Sequence, residues 1–285
     1  MRATPKILGI PGVCCVILAA VFHLSSESAQ AAVATLNPIA DTTVQRSDAG
    51  STNNYNNWGS SIYLSATIYG SNPDNGAYSL LRFDLSSLPT DSIITGATLT
   101  LSAGGGNYSY SRNEVLRVWQ ITEANAAWVQ GTSDAAPGNG ATARYLNQTS
   151  YTNVSNNTGT DWASGGIFSV APGDLGDEVG SLGLTSIANN TPITITLSAS
   201  TIQSWLANPN LATAGLALHM TNDGTNTGNT HLNFNSMNSS VASNLLPQLQ
   251  ITYTAVPEPG VLGMLALGAC LFAGRRRIAQ RFARS

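Results

Sequence analysis

The sequence predicts an all-β protein: a two-sheet antiparallel sandwich of jelly-roll type with one short helix, set between an N-terminal signal helix and a C-terminal transmembrane helix. Three observations lead there. Short runs with alternating apolar and polar residues recur along the chain, the period-2 pattern of half-buried strands. Clusters of Gly, Asn, Ser and Asp separate the runs and supply turn chemistry. Only 9% of the 285 residues are charged while 42% are apolar, which provides a sizeable core and argues against disorder in the body.

Residues 1–31 read as a signal peptide. Arg2 and Lys6 form a basic start, Ile7 to Leu24 is mostly apolar, and Ala29-Gln30-Ala31 fits small-x-small cleavage, so cleavage is expected after Ala31. Strands are then predicted near 33–36, 41–45, 61–66, 78–85, 94–101, 114–121, 166–170, 192–197, 214–221, 231–235 and 247–254. The most informative is Leu80 to Leu85, which puts Leu81, Phe83 and Leu85 on one face and Arg82 and Asp84 on the other before Pro89 ends it. One segment follows a helical period: Ile202, Trp205 and Leu206 lie at i, i+3 and i+4 between a Ser198 or Ser200 cap and the stop at Asn208-Pro209. Trp205 is expected to plug the core. Long polar loops at 46–60, 102–113, 123–165 and 222–230 are where local function is expected. The body, 32–255, reads as a single domain.

The end of the chain, 256–285, has its own pattern. Val256-Pro257-Glu258-Pro259 precedes an apolar run from Gly260 to Gly274, and Arg275, Arg276 and Arg277 follow. The run is short for a membrane span but workable, and the arginines should stay cytoplasmic, leaving the body outside.

Charge and cysteine narrow the function. Between Ala32 and Val256 there are five arginines and no lysine against thirteen carboxylates, a balance of −8. An acidic body cannot neutralise phosphates, so nucleic acid is excluded as a partner. Cys14, Cys15 and Cys270 all lie in the terminal apolar runs, so the body has no disulfide, thiolate metal site or cysteine nucleophile.

Two resemblances add to these readings. The segment Leu80 to Pro89, followed by Ile94 to Leu101 and preceded by Ala40 to Val44, resembles the DNRLRE-type domain of secreted bacterial proteins, a carbohydrate-binding-module-like β-sandwich. Further pieces in the same order are Val115 to Thr122, Tyr145 to Tyr151, Asp161 to Gly166, Ile202 to Leu206 and Leu246 to Tyr253, so the similarity spans about 34–254. Ala127-Trp128-Val129-Gln130 departs from the Trp-Thr-Glu and Thr-Trp-Asn pieces of that family. Pro257, Glu258, Pro259 and Arg275 to Arg277 resemble the PEP-CTERM sorting signal position by position. This implies recognition and cleavage by an exosortase, in bacteria that make exopolysaccharide. The protein is then expected at the cell surface or outside the cell, anchored transiently or permanently through its C-terminal helix.

Catalytic chemistry has little to build on. The body contains only His219 and His231 as histidines, both on predicted strands flanking the 222–230 loop, and lacks a Gly-x-Ser-x-Gly elbow and a phosphate-cradling glycine loop. No cofactor is required by the sequence. A structural calcium ion is the one that the oxygen-rich turns would suit, with Asp174, Asp177 and Glu178 clustered and Asp41 at the head of a strand in the DNRLRE-like motif. Sugar binding needs planar aromatic faces with amides at the rim. Tyr55, Trp58, Tyr108, Tyr110, Trp128 and Trp162 are the candidates, with Tyr69, Tyr145 and Tyr151 also in loops. Some DNRLRE relatives are associated with acidic polysaccharides such as alginate, but five arginines offer little for carboxylate recognition, which favours a neutral or calcium-bridged glycan. The expectation is an exported, non-enzymatic surface protein that binds extracellular polysaccharide or helps build the matrix. A purely structural surface protein and a polysaccharide-degrading enzyme are the alternatives.

Overall fold

A seven-stranded and a four-stranded antiparallel sheet pack face to face in this chain, and side-chain alternation explains how. The computed structural model describes residues 30–48, 50–69, 75–104, 114–169, 173–184, 187–188, 190–221 and 230–255. The smaller sheet runs in the order β1 (Ala31–Leu36), β15 (Gln248–Thr254), β6 (Ile93–Ser102), β12 (Pro192–Leu197). Its register stacks apolar rungs: Leu99 lies opposite both Ile195 and Leu249, and Ala97 opposite both Leu197 and Ile251. Threonines alternate with these residues and face outward.

The larger sheet runs β11 (Leu175–Leu184), β7 (Glu114–Ile121), β13 (Leu216–Thr221), β5 (Gly76–Phe83), β4 (Tyr63–Ile68), β14 (Thr230–Asn235), with β2 (Pro38–Arg46) also paired to β5. Strand β5 is its hub. It pairs β2 from Gly76 to Phe83, β13 from Ser79 to Leu81, and β4 at Gly76 and Ala77.

Both faces of the larger sheet are buried. Leu81 and Phe83, with Leu216, Leu218 and Met220, point into the sandwich core against the smaller sheet. Tyr78 and Leu80, with Trp119, Ile121 and Ala217, point the other way into a second core. The segment between β7 and β11 covers that face with Trp128, Leu146, Trp162 and Phe168. Its own regular structure is a 3-10 turn at Glu123–Asn125, a hairpin of β9 (Tyr145–Asn153) and β10 (Asn156–Asp161), and β8 (Ala136–Pro137), which pairs with β3 (Asn56–Asn57).

Two helices close one end, where one had been expected. Ser198 caps α1 (Ala199–Ala207), its hydroxyl accepting from the Thr201 amide, and Ile202 and Trp205 are buried in the sandwich core. Asn208 ends α1 and caps α2 (Pro209–Ala214), with proline at the first turn where its missing N–H costs nothing.

The strands expected at 33–36, 41–45, 61–66, 78–85, 94–101, 114–121, 192–197, 214–221, 231–235 and 247–254 are all present, their ends shifted by at most three residues. Of the expected strand at 166–170, residues 166–169 are instead irregular backbone that carries Phe168 into the second core, and residue 170 lies outside the described residues. The hairpin β9–β10 and strand β11 were not foreseen. The hairpin buries only Tyr145, Leu146 and Gln148 at one end of β9, too little to impose alternation, and β11 is an edge strand with three glycines and a bulged register. Among the described residues no helix is long and apolar enough to cross a membrane; the predicted signal and transmembrane helices lie outside them.

Trp128 joins the second core to the rest. Its indole N–H donates to the Ala214 carbonyl at 2.8 Å, and the Arg82 guanidinium lies 4.3 Å over its ring while donating to the Ala126 and Trp128 carbonyls. Trp128→Ala is therefore expected to cost about 3–5 kcal/mol of stability, read as a lowered urea midpoint, while a change at exposed Val33 alters stability by about 0.5 kcal/mol or less.

Candidate functional site

The sequence candidates fall in different places. Trp128 and Trp162 are each 1% exposed. Trp162 packs on Phe168 with ring centroids 4.6 Å apart and donates its N–H to the Thr142 carbonyl. Neither ring has a face for a sugar, because covering the larger sheet takes both. Tyr55 is half-buried against Tyr151, their centroids 5.2 Å apart, and Trp58 is half-buried beside it in sequence. Tyr108 and Tyr110 lie outside the described residues.

The carboxylates expected to hold calcium do not converge. Asp174 is fully buried, and its carboxylate accepts from the Ser164 amide and hydroxyl, the Ser169 amide and the Asn125 side chain. These donors belong to the segment that covers the second core, so Asp174 ties that segment down. Asp177 and Glu178 are exposed on β11, where Glu178 pairs with Arg117 at 2.6 Å. Asp41 is on β2, its carboxylate accepting from the Met237 amide at 2.7 Å. Among the described residues no group of three or more His, Cys, Asp or Glu could hold a metal ion.

The two histidines are likewise apart. His219 is fully buried, stacked on Tyr78 with centroids 4.0 Å apart, and its Nδ1 lies 3.1 Å from the Ala77 carbonyl. His231 is on β14, with β5 and β4 between, and its ring meets Tyr69 edge-on at 5.5 Å.

Among the described residues a concavity lies elsewhere, at one end of the larger sheet. An open cleft of about 430 Å³ is lined by Gln45, Ser47, Asp48, Asn53, Tyr69 and Asn75. Three chain segments build it: the end of β2 with the turn after it, the 3-10 turn Thr52–Tyr55, and the residues flanking the β4–β5 connection. The Tyr69 amide donates to the Asn75 carbonyl at 2.9 Å and closes that connection. Buried Asn54 fixes the opposite wall, its oxygen accepting from the Ser47 amide at 2.7 Å and its amide donating to the Asp48 carbonyl at 3.1 Å. The Ser51 amide also donates to the Asp48 carbonyl, closing a turn in which Gly50 takes φ +84°, a conformation that favours glycine.

Side chains inside the cleft hold one another. Gln45 donates to the Tyr69 hydroxyl at 3.1 Å, and Asn75 donates to Asp48 Oδ1 at 2.8 Å. Burial pushes the Tyr69 hydroxyl pKa up and the His231 pKa down, so both remain neutral at pH 7. Among the described residues, the lining therefore offers amides, hydroxyls, one carboxylate and no cation. Of these residues, sequence reasoning singled out only Tyr69, although it did mark the 46–60 loop. Amides in turns carry no signal of their own until the fold brings them together.

Comparison with known proteins bears on the chain's C-terminal end. Residues 255–277 match the PEP-CTERM protein-sorting motif. The matched stretch contains Pro257, Glu258, Pro259, Arg275, Arg276 and Arg277. The motif marks an exported protein with a C-terminal sorting signal processed by exosortase. No curated protein matches the chain.

Asp41 makes stability depend on pH. Burial pushes its pKa up to about 6, against backbone and Ser236 hydrogen bonds that lower it. The folded protein thus holds this proton more tightly than the unfolded chain does. The Asp41 contribution is full below about pH 4 and is lost as pH rises through 6, a fall of about 3 kcal/mol at most. Urea midpoints of wild type and Asp41→Asn, measured from pH 4 to 8, should diverge across that window, with the variant gaining on wild type as pH rises.

Proposed function

We propose that this exosortase-sorted surface protein works by binding extracellular polysaccharide, with a body of the DNRLRE-type, jelly-roll-like kind. The observation that supports the reading is the cleft, whose described lining sets amides, hydroxyls and the Asp48 carboxylate around the half-buried Tyr69 ring, the groups a sugar needs. Sugars present many hydroxyls that both donate and accept, and Asn and Gln side chains answer both roles. Export with a C-terminal sorting signal puts such a site where polysaccharide is found.

The way several of the acids and bases are used supports a reading of binding rather than catalysis. Asp41 and Asp174 are buried and committed to hydrogen bonds, Glu178 is paired with Arg117, and His219 is enclosed under Tyr78. A purely structural surface protein is the second reading, favoured by one observation: Trp128 and Trp162, which would have made strong stacking platforms, serve the core.

A glycan array probed with residues Ala32–Thr254, one compact unit with its own cores, separates the two. Retention by one glycan class is expected; a protein that melts cooperatively yet binds nothing is structural. In a host with exosortase, Glu258→Ala is expected to accumulate as an unprocessed precursor, seen as a heavier band than the mature protein.

A further inference from the structure

The cleft also carries a statement about which sugars it takes, resting on the polysaccharide-binding reading above. We propose that it selects neutral pyranoses over uronates, with Asp48 the specificity-determining residue. At about 430 Å³ the cleft falls in the range of about 300–1,000 Å³ usual for small-molecule sites. It is open, so a polymer segment can enter without threading.

Asp48 is held in place from two sides. Its carbonyl is fixed by the Ser51 amide and buried Asn54, and its carboxylate by Asn75. An ionised carboxylate only accepts, and its two oxygens offer about four lone-pair sites, of which Asn75 takes one. Adjacent ring hydroxyls of a neutral pyranose can each donate to the rest, making the stronger, charge-assisted kind of hydrogen bond. The Tyr69 ring, in a T-shaped contact with His231, supplies an apolar flank for sugar C–H groups.

A uronate meets the opposite situation. Its carboxylate brings another acceptor-only charge beside Asp48, and among the described residues no lining residue is cationic. The neighbouring Arg46 directs a guanidinium N–H to the Phe168 carbonyl, at the segment that covers the second core. The acidic body adds repulsion of the same sign.

Affinity gel electrophoresis of Ala32–Thr254 tests this, with dextran, galactomannan or hydroxyethyl cellulose in one set of gels and alginate or polygalacturonate in another, each with calcium and with chelator. Wild type should be retarded by a neutral polymer and not by the uronates. Asp48→Asn should bind that polymer at least about tenfold more weakly, since it loses the charge-assisted bonds. Asp48→Arg should lose it and gain retardation by uronates. Asp177→Arg makes the same charge change at an exposed site on β11 and should behave as wild type. Thermal melts confirm that each variant is folded.

Retardation of wild type by uronates as strong as by neutral polymers overturns the proposal, as does unchanged binding in both Asp48 variants. Uronate retardation of Asp177→Arg equal to that of Asp48→Arg also overturns it, because net charge alone would then explain the switch. If no polymer retards wild type, the polysaccharide reading itself fails and the selectivity falls with it. If wild type binds and only the Asp48 effects are missing, the reading stands and the site is elsewhere.

Discussion

The constraint behind the rest of this structure is that the larger sheet is apolar on both faces. Strand β5 shows why: Leu81 and Phe83 point to the smaller sheet, while Tyr78 and Leu80 point away from it. A sheet with two apolar faces needs two partners, and the smaller sheet can be only one of them. The segment between β7 and β11 is the other, and it must bring large side chains on mostly irregular backbone. Trp128, Trp162 and Phe168 do so, each aromatic burying about 150–250 Å². Irregular backbone in a core leaves polar groups that need partners. Asp174 and Asn125 meet that need in this segment: the Asp174 carboxylate receives donors from Ser164, Ser169 and Asn125, and the Asn125 oxygen receives the Ala163 amide.

This explains which parts of the fold could be read from sequence. Where a strand has one wet face, as in β6, β12 and β15, alternation was plain and register followed from it. The hairpin β9–β10 has almost no buried face, so its residues alternate nothing. The double burial of the larger sheet did leave a trace, in the consecutive apolar residues Leu80-Leu81 and Leu216-Ala217-Leu218. Continuous apolar runs are the mark of strands covered on both sides. Read that way, they call for an extra covering layer, and the tryptophans of the long β7–β11 connection are its natural source. Their reading as ligand platforms took the 123–165 stretch as a solvent-facing loop.

The cleft was less legible for a different reason. Gln45, Asp48, Asn53, Tyr69 and Asn75 come from segments with no shared motif, and each alone is an ordinary strand-end or turn residue. They meet because β2 and β4 both pair with β5 near Gly76, so the turns that follow β2 and β4 emerge at the same end of the sheet. Topology makes the site, and topology is what local patterns specify least. The C-terminal signal is the reverse case: Pro257-Glu258-Pro259 and the arginine cluster are contiguous and need no fold to be recognised.

An open, solvent-filled cleft of this size implies a particular kind of binding. Water competes for every hydrogen bond there, so a neutral hydrogen bond is worth about 0.5–1.5 kcal/mol net, and a single sugar would be held weakly. Polysaccharides repeat the same residue many times, so on the proposed reading weak sites displayed together on a surface would act at high effective concentration. Under that arrangement affinity comes from number, and selectivity must come from what each site rejects. On the proposed reading, Asp48 among otherwise neutral described lining residues, on a body carrying a balance of −8, would repel polyanions at contact range and, through the field of the whole domain, within about 10 Å. Rejection of that kind multiplies along a polymer as attraction does, which lets a site of few contacts discriminate between matrices.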